Sequence, residues 1–218
     1  MNTQEAIARR KTMKVLSDQP WELSDDSHVK GLVQQVLQAA NAAPFHYMVH
    51  NAHVSDDEEQ AIVPWRFHIL YTDTCRKLAS YIKEEGIKAG KILQMLHTAD
   101  ALLLATWLPD PASDEHEGLF EANQRNMEHI AAASSAIQNA LLVATARNVP
   151  NYWSSGGVLR KEDFYEVLKI DTAEIMLGAL FLFPESSEEK VGVDGKIALG
   201  GLREKKGPVS GWAKEIKL

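Results

Sequence analysis

Cysteine is almost absent from this chain. Cys75 is the single cysteine among 218 residues, so no disulfide can form within the chain. This usage is typical of proteins that work in a reducing compartment. Cys75 follows a predicted strand, where a structural role is favoured over a nucleophilic one.

Long apolar runs are missing as well. The run "ADALLLATWL" is about half the length of a membrane span. The first 16 residues contain no apolar core of signal-peptide length. We therefore expect a cytoplasmic protein with no membrane partner.

A basic surface is a third feature that the composition does not favour. Lys and Arg total 23 against 30 Asp and Glu, which gives a formal net charge of -7. Nucleic acids and anionic membranes require positive faces, so neither is an expected partner. The chain also lacks G-x-G-x-x-G after a strand and G-x-x-x-x-G-K-[ST], which excludes a Rossmann fingerprint and a P-loop.

Hydrophobic periodicity predicts an α+β fold in a single domain over residues 1–218. The predicted helices cover residues 3–14, 24–43, 73–99 (as one helix or two), 119–148 and 160–170. The predicted strands cover residues 65–72, 99–108, the stretch after 149, and 173–184. Residues after 184 read as a polar, glycine-rich tail.

Two cationic clusters are candidate anion sites. Adjacent arginines at a helix end, followed by Lys11, suit a phosphate because guanidinium groups bind it through two hydrogen bonds. The same cations would complement the carbonyl end of a helix, and local sequence favours that second interpretation. The tail cluster at 203–206 is, on its own, typical of a solvated surface.

Two turns are candidate ligand contacts. In "AAPFHY" (42–47), Pro44 ends a helix, and the loop backbone and the His46 ring can meet a ligand edge. In "NYWSSGGVL" (151–159), small side chains and glycine permit close approach of a flat ligand to backbone N–H groups. An ordinary helix end and an ordinary helix-to-strand loop are the alternatives.

Three histidines invite a metal interpretation. His46, His50 and His53 are spaced by four and three residues, with Asp56 and Asp57 nearby. However, Pro44 precedes them, and the chain has no H-E-x-x-H or C-x-x-C motif. We expect no metal site.

The order of these segments resembles that of the nitroreductase family of FMN enzymes. The similar pieces are the double arginine, "AAP", "PWRF", "AIQNALLVATARNVPNYWSSGG", "LGALFLF" and the basic-Gly-Pro tail. They span nearly the whole chain. The chain looks most similar to a small subgroup with an A-P-x-H turn.

The resemblance implies a nitroreductase-like fold with a central, mostly antiparallel sheet flanked by helices. It also implies a homodimer with FMN at the interface, for which the Ala/Ser-rich segment 131–136 offers a close helix–helix seam. The cofactor-binding positions that it implies are Arg9, Arg10 and Lys11 at the phosphate, Pro44, Phe45 and His46 on the flavin, Ser155, Gly156 and Gly157 near its N5, and Arg203, Lys205 and Lys206 returning to the phosphate.

The implied activity is oxidoreduction by a ping-pong mechanism. NADH or NADPH reduces the flavin, which then reduces a nitroaromatic, a quinone or a related acceptor. We expect the flavin to carry the chemistry without a protein acid or base. His46 is the candidate if a proton donor is used. The alternatives are a specialised flavin enzyme of the same fold (a dehalogenase, a dehydrogenase or a flavin-fragmenting enzyme) and a low-turnover flavin-binding protein. Residues 51–63 form an unusually long loop, which we expect to cover the substrate side of the flavin.

Overall fold

The computed structural model describes residues 1–54, 61–113, 116–192 and 194–216, without the side chain of Arg203. Within these ranges the helices are α1 (Thr3–Arg9), α2 (Asp26–Asn41), α3 (Thr72–Glu84), α4 (Lys91–Leu96), α5 (Gln124–Ala146), α6 (Glu162–Leu168) and α7 (Ser187–Lys190). The strands are β1 (Met13–Leu16), β2 (Trp65–Tyr71), β3 (Ala101–Trp107), β4 (Asn151–Ser154), β5 (Ile175–Leu182) and β6 (Lys196–Leu199). No helix in the described ranges has the length and apolar character needed to cross a membrane.

Four strands form the central sheet, in the order β2-β3-β5-β4, with every pair antiparallel. This confirms the predicted α+β fold with a mostly antiparallel sheet flanked by helices. All seven residues of β3 are buried. Leu102 and Leu104 pack toward α3, α4 and α6, while Leu103 and Ala105 pack toward α2 and α5. Burial on both faces explains why this strand is a continuous apolar run.

The Ala-rich part of α5 packs mainly within the chain. Ala132, Ala136 and Ala140 are buried in the same cluster as Val33 and Val36 of α2. Small side chains let these two helices approach each other and the sheet. The predicted seam with a second subunit is therefore limited to the more exposed positions of the helix, such as Ala131.

The segment after β2 forms two helices, which resolves the choice left open by the sequence. The break between α3 and α4 contains Gly86 and Gly90, with φ of +63° and +53°. Glycine reaches this left-handed region without the steric cost of a Cβ.

The first predicted helix is too long. Helix α1 starts at a capping box made by Asn2 and Glu5 and stops at Arg9. Residues Met13–Leu16 form β1, which pairs antiparallel with β6 in a separate two-stranded sheet. Strand β6 lies in the polar, glycine-rich tail, for which no strand was predicted. Each of these strands has four residues, and each is stabilised by a partner about 180 positions away, so neither carries a strong local signal.

Cys75 is a core residue, as the sequence indicated. Its side chain is fully buried, and Sγ donates to the carbonyl of Leu70 at 3.4 Å. Burial raises the pKa of the Cys75 thiol to about 12. The thiolate that would act as a nucleophile is therefore disfavoured.

Candidate functional site

A cationic cavity of about 790 Å³ forms where the two ends of the chain meet. The β1–β6 ladder aligns Met13 with Leu199, and the N–H of Gly200 donates to the carbonyl of Thr12 at 3.1 Å. This pairing brings residues 10–14 beside residues 199–206. The cations that line the cavity are Arg10, Lys11, Lys14 and Lys206.

The charged residues in the described lining of this cavity are all cationic. Its described lining holds four cationic side chains and no Asp or Glu, in a chain whose formal net charge is -7. Cations gathered in this way repel one another, so the arrangement is stabilised by an anion. A multiply charged oxyanion such as a phosphate matches several cationic donors at once.

Two aromatic residues of β4 form another part of the same wall. Tyr152 and Trp153 line the cavity, as does Gln138 of α5. The Nζ of Lys14 lies 4.8 Å from the centroid of the Tyr152 ring, within cation–π range. The cavity therefore offers aromatic surface as well as positive charge.

Arg9 lies in a different environment from Arg10. Its Nη2 donates to Oδ1 of Asn148 at 3.2 Å, and it lines a neighbouring cavity of about 550 Å³. That cavity also has Glu185 and Glu188 in its lining, so its charge is mixed. Lys11 lines both cavities, which leaves Arg10 as the arginine of the cationic one.

The glycine turn, residues 155–157, follows β4, and its residues are not among the described lining residues of the cationic cavity. Gly156 has φ of +98° and Gly157 has φ of +54°, in the region that favours glycine. A Cβ on Gly156 would lie 2.8 Å from Sδ of Met176, so a side chain there would also require Met176 to move. The N–H of Gly156 makes a long hydrogen bond of 3.3 Å to Ser154 Oγ.

Arg160 fastens this turn to the sheet. Its Nε donates to the carbonyl of Ser155, and its Nη2 donates to the carbonyl of Leu177 at 3.2 Å. Leu177 is the extra residue of a β-bulge, because Ala105 pairs with Gly178 while Thr106 pairs with Met176. Bulges bend a strand locally, and this one presents a carbonyl to Arg160.

The A-P turn lies apart from the cationic cavity within one chain. Pro44, Phe45 and His46 are not among the cavity's described lining residues. Phe45 packs edge-on against Trp65, with ring centroids 5.8 Å apart, so the "AAPF" and "PWRF" segments are in contact. Nδ1 of His46 lies 3.0 Å from a carboxylate oxygen of Glu128, and the His46 side chain is 80% exposed.

The other predicted positions are only partly described. Lys205 is exposed and is not among the described lining residues of the cationic cavity, and the side chain of Arg203 lies outside the described part. Residues 55–60 of the long loop, including Asp56 and Asp57, also lie outside it. The rings of His50 and His53 have separate partners, the N–H of Ala52 and the carbonyl of Pro109.

Several solved structures are similar to this chain. A nitroreductase-like family protein from Bacillus cereus has a TM-score of 0.57 and 23% identity, over 96% of each chain. A putative nitroreductase in complex with FMN from Desulfovibrio desulfuricans has a TM-score of 0.58 and 18% identity, over 100% of this chain and 98% of the other. A nitroreductase family protein from Clostridium novyi NT has a TM-score of 0.54 and 15% identity, over 84% of each chain.

The chain has the nitroreductase-like fold. No protein-family model and no curated protein matches it. At identities of 15–23%, these structural similarities establish the architecture alone, because one fold hosts many functions.

Lys14, Gln138 and Tyr152 line the cavity of this nitroreductase-like chain but were not among the predicted cofactor-binding positions. Lys14 was assigned to a helix end, whereas it lies on β1 opposite Ala198. Tyr152 lies in the stretch 151–159, which was predicted as a candidate ligand contact, and Gln138 lies in the predicted helix 119–148, but neither was named as a cofactor-binding residue, and both line the cavity. The missing signal was the β1–β6 pairing, since that pairing decides which residues face the tail.

Proposed function

We propose that this chain is an FMN-dependent oxidoreductase that takes hydride from NADH or NADPH and reduces nitroaromatic, quinone or related acceptors in a ping-pong cycle. The observation that carries the proposal is the cationic cavity, with four cations and no carboxylate in its described lining. When bound, FMN supplies the hydride chemistry, and the protein supplies binding, orientation and electrostatics.

The cavity fits the phosphate end of such a cofactor. Arg10 and Lys206 come from opposite ends of the chain, and Lys11 and Lys14 extend the positive surface. A dianionic phosphate is neutralised by two or more such groups. In this proposal Lys205 and Arg203 lie beside Lys206 where the tail contacts the phosphate. Arg9, which donates to Asn148, supports the phosphate site from the neighbouring cavity.

The glycine turn fits the flavin ring. Ser155, Gly156 and Gly157 carry little side-chain bulk, and Gly156 holds its N–H in a weak internal bond that a ring acceptor would replace. An N–H donor at that place stabilises negative charge that develops on a reduced ring. The clamp by Arg160 holds this donor in position.

A homodimer would complete the site. Pro44, Phe45 and His46 lie away from the cationic cavity of their own chain, so in this proposal they serve the cavity of a second copy. Glu128, 3.0 Å from Nδ1 of His46, orients the ring and leaves Nε2 to donate a proton to an acceptor.

Binding is tested first by FMN titration, followed through flavin fluorescence. We expect Arg10→Gln to raise the Kd for FMN by about tenfold or more, because a charge-assisted phosphate contact is lost. Arg9→Gln should have a smaller effect, because Arg9 lies in the mixed-charge cavity. Arg147→Gln, on an exposed residue at the end of α5, is the matched control. Protein that stays colourless and takes up no FMN contradicts the proposal.

Turnover is tested by anaerobic stopped-flow at the flavin absorbance band. Rapid bleaching by NADH or NADPH, followed by reoxidation with a nitroaromatic or a quinone, is the expected result. Bound flavin that neither nicotinamide reduces would instead favour a flavin-binding protein. Reduction without reoxidation by these acceptors would favour a specialised flavin enzyme of the same fold.

A further inference from the structure

A second cavity, of about 630 Å³, lies where β3 ends and β5 begins. It shares no described lining residue with the cationic cavity. Its walls are largely apolar, with Pro109, Leu119, Phe120, Ile175 and Met176 among them. A cavity of this size, with mostly apolar walls and a few polar groups, is typical of small-molecule sites.

Glu174 is a buried acidic residue in the lining of this cavity. Its side chain is 9% exposed. Nε2 of His68 lies 2.6 Å from its Oε2, and the hydroxyl of Thr106 donates to the same oxygen. Within the described part of the chain, Oε1 receives no hydrogen bond. One carboxylate oxygen is thus held in place, and the other is available to a donor in the cavity.

Carboxylates outnumber cations in the lining of this cavity, although two of them have a cation beside them, Arg125 at Asp110 and Arg66 at Glu174. Asp110, Glu162 and Glu174 line it against the single guanidinium of Arg160. That guanidinium already donates to two backbone carbonyls, while Asp110 pairs with Arg125 at 2.7 Å. The rings of Phe120 and Tyr165 add faces that attract a cation.

We propose that this second cavity binds a small amphipathic cation, an aromatic body carrying a protonated amine, with the amine directed to Glu174. The apolar walls hold the aromatic body, and the fixed carboxylate selects the positive charge. The proposal does not rest on FMN binding, although Arg160 and Met176 in the lining also lie against the glycine turn.

Isothermal titration calorimetry of the full chain at neutral pH tests this site with two probes of the same aromatic body. Tryptamine carries a cation and indole-3-propionate carries an anion. We expect tryptamine to bind at least about tenfold more tightly, as a charge-assisted contact predicts. Glu174→Gln should weaken tryptamine by about tenfold and remove the preference. Glu188→Gln, in the mixed-charge cavity, is the control and should change neither.

A second variant tests the cavity without touching the contact between Glu174 and His68. Ala112 is exposed at the rim, so Ala112→Trp fills the space with little effect on the core. We expect it to abolish tryptamine binding while the thermal unfolding transition stays unchanged. Absence of saturable tryptamine binding to the unaltered chain, equal affinity for the two probes, or binding that survives both variants would overturn the proposal.

Discussion

At the scale of single residues, we expect substitution by alanine to change the stability of the protein in opposite directions at two glycines. A Cβ on Gly178 would lie 2.1 Å from Nε1 of Trp153, whereas a Cβ on Gly31 meets nothing within 4 Å. Gly178→Ala should therefore lower the free energy of unfolding by about 1–3 kcal/mol through overpacking. Gly31→Ala, inside α2, should raise it by about 0.5–1 kcal/mol. Urea unfolding of the two variants measures both changes in the free energy of unfolding. Equal changes at Gly178 and Gly31 would contradict the prediction.

A buried histidine predicts how stability changes with pH. His129 is 1% exposed, and its nitrogens lie near the backbones of Leu108 and Tyr47 without a well-formed hydrogen bond in the described structure. Burial lowers the pKa of His129, and burial lowers the pKa of His97 in the same way. As pH falls below about 6.5, the unfolded chain binds protons that the folded chain does not, so stability decreases.

His129→Leu should reduce this acid sensitivity. The variant has no imidazole to protonate at that position and no buried ring nitrogens to leave unpaired. Urea unfolding at pH 7.5 and pH 5.5 gives the comparison, with the exposed His28→Leu as the matched control. An unchanged difference between the two pH values in His129→Leu would show that His129 does not titrate in this way.

At the scale of elements, the β1–β6 ladder decides the shape of the cationic cavity. A Cβ on Gly200 would lie 2.8 Å from Cβ of Thr12, while a Cβ on Gly201 meets nothing within 4 Å. Gly200→Val should therefore push the end of β6 away from residues 10–14. We expect it to raise the Kd for FMN by about tenfold, corresponding to roughly 1.4 kcal/mol.

Lys196→Val is the control for this ladder, because Lys196 is exposed at the other end of β6 and is not among the described lining residues of the cationic cavity. It should leave FMN affinity and far-ultraviolet circular dichroism unchanged. If Gly200→Val binds FMN as tightly as the unaltered chain, the ladder does not shape the binding site.

Elements with a strong local pattern were predictable from the sequence, and elements without one were not. The run at 99–108 and the periodicity of residues 29–37 predicted β3 and α2, because burial dictates both patterns. The short strands β1 and β6 could not be found in this way, since their stability comes from pairing across the chain. For the same reason, the sequence placed Arg9 with Arg10, and only the fold separates them.

At the scale of the whole molecule, we expect a homodimer. The C-terminal segment exposes large apolar side chains, with Leu202 79%, Trp212 70% and Ile216 84% exposed. Exposed apolar groups of this kind mark interaction surfaces. Sedimentation at micromolar concentration should give twice the chain mass of 24.2 kDa. Trp212→Ser combined with Ile216→Ser should weaken the dimer at least about tenfold.

Leu119→Ser is the control for assembly, because Leu119 is 75% exposed but lies in the second cavity. It should leave the sedimentation coefficient unchanged. A chain that sediments as a monomer when saturated with FMN would contradict the expectation that two copies build one site.

Trp153 gives the cationic cavity an optical reporter of its own. Its indole lines the space that Arg10 and Lys206 enclose, and it rests against the bare backbone of Gly178. Trp21, Trp65 and Trp107 are buried in the core, which shields them from collisional quenchers, whereas Trp212 is 70% exposed and contributes a background signal. The emission lost in Trp153→Phe therefore isolates the signal of one ring, which allows occupancy to be followed by quenching without a dye or a coloured ligand.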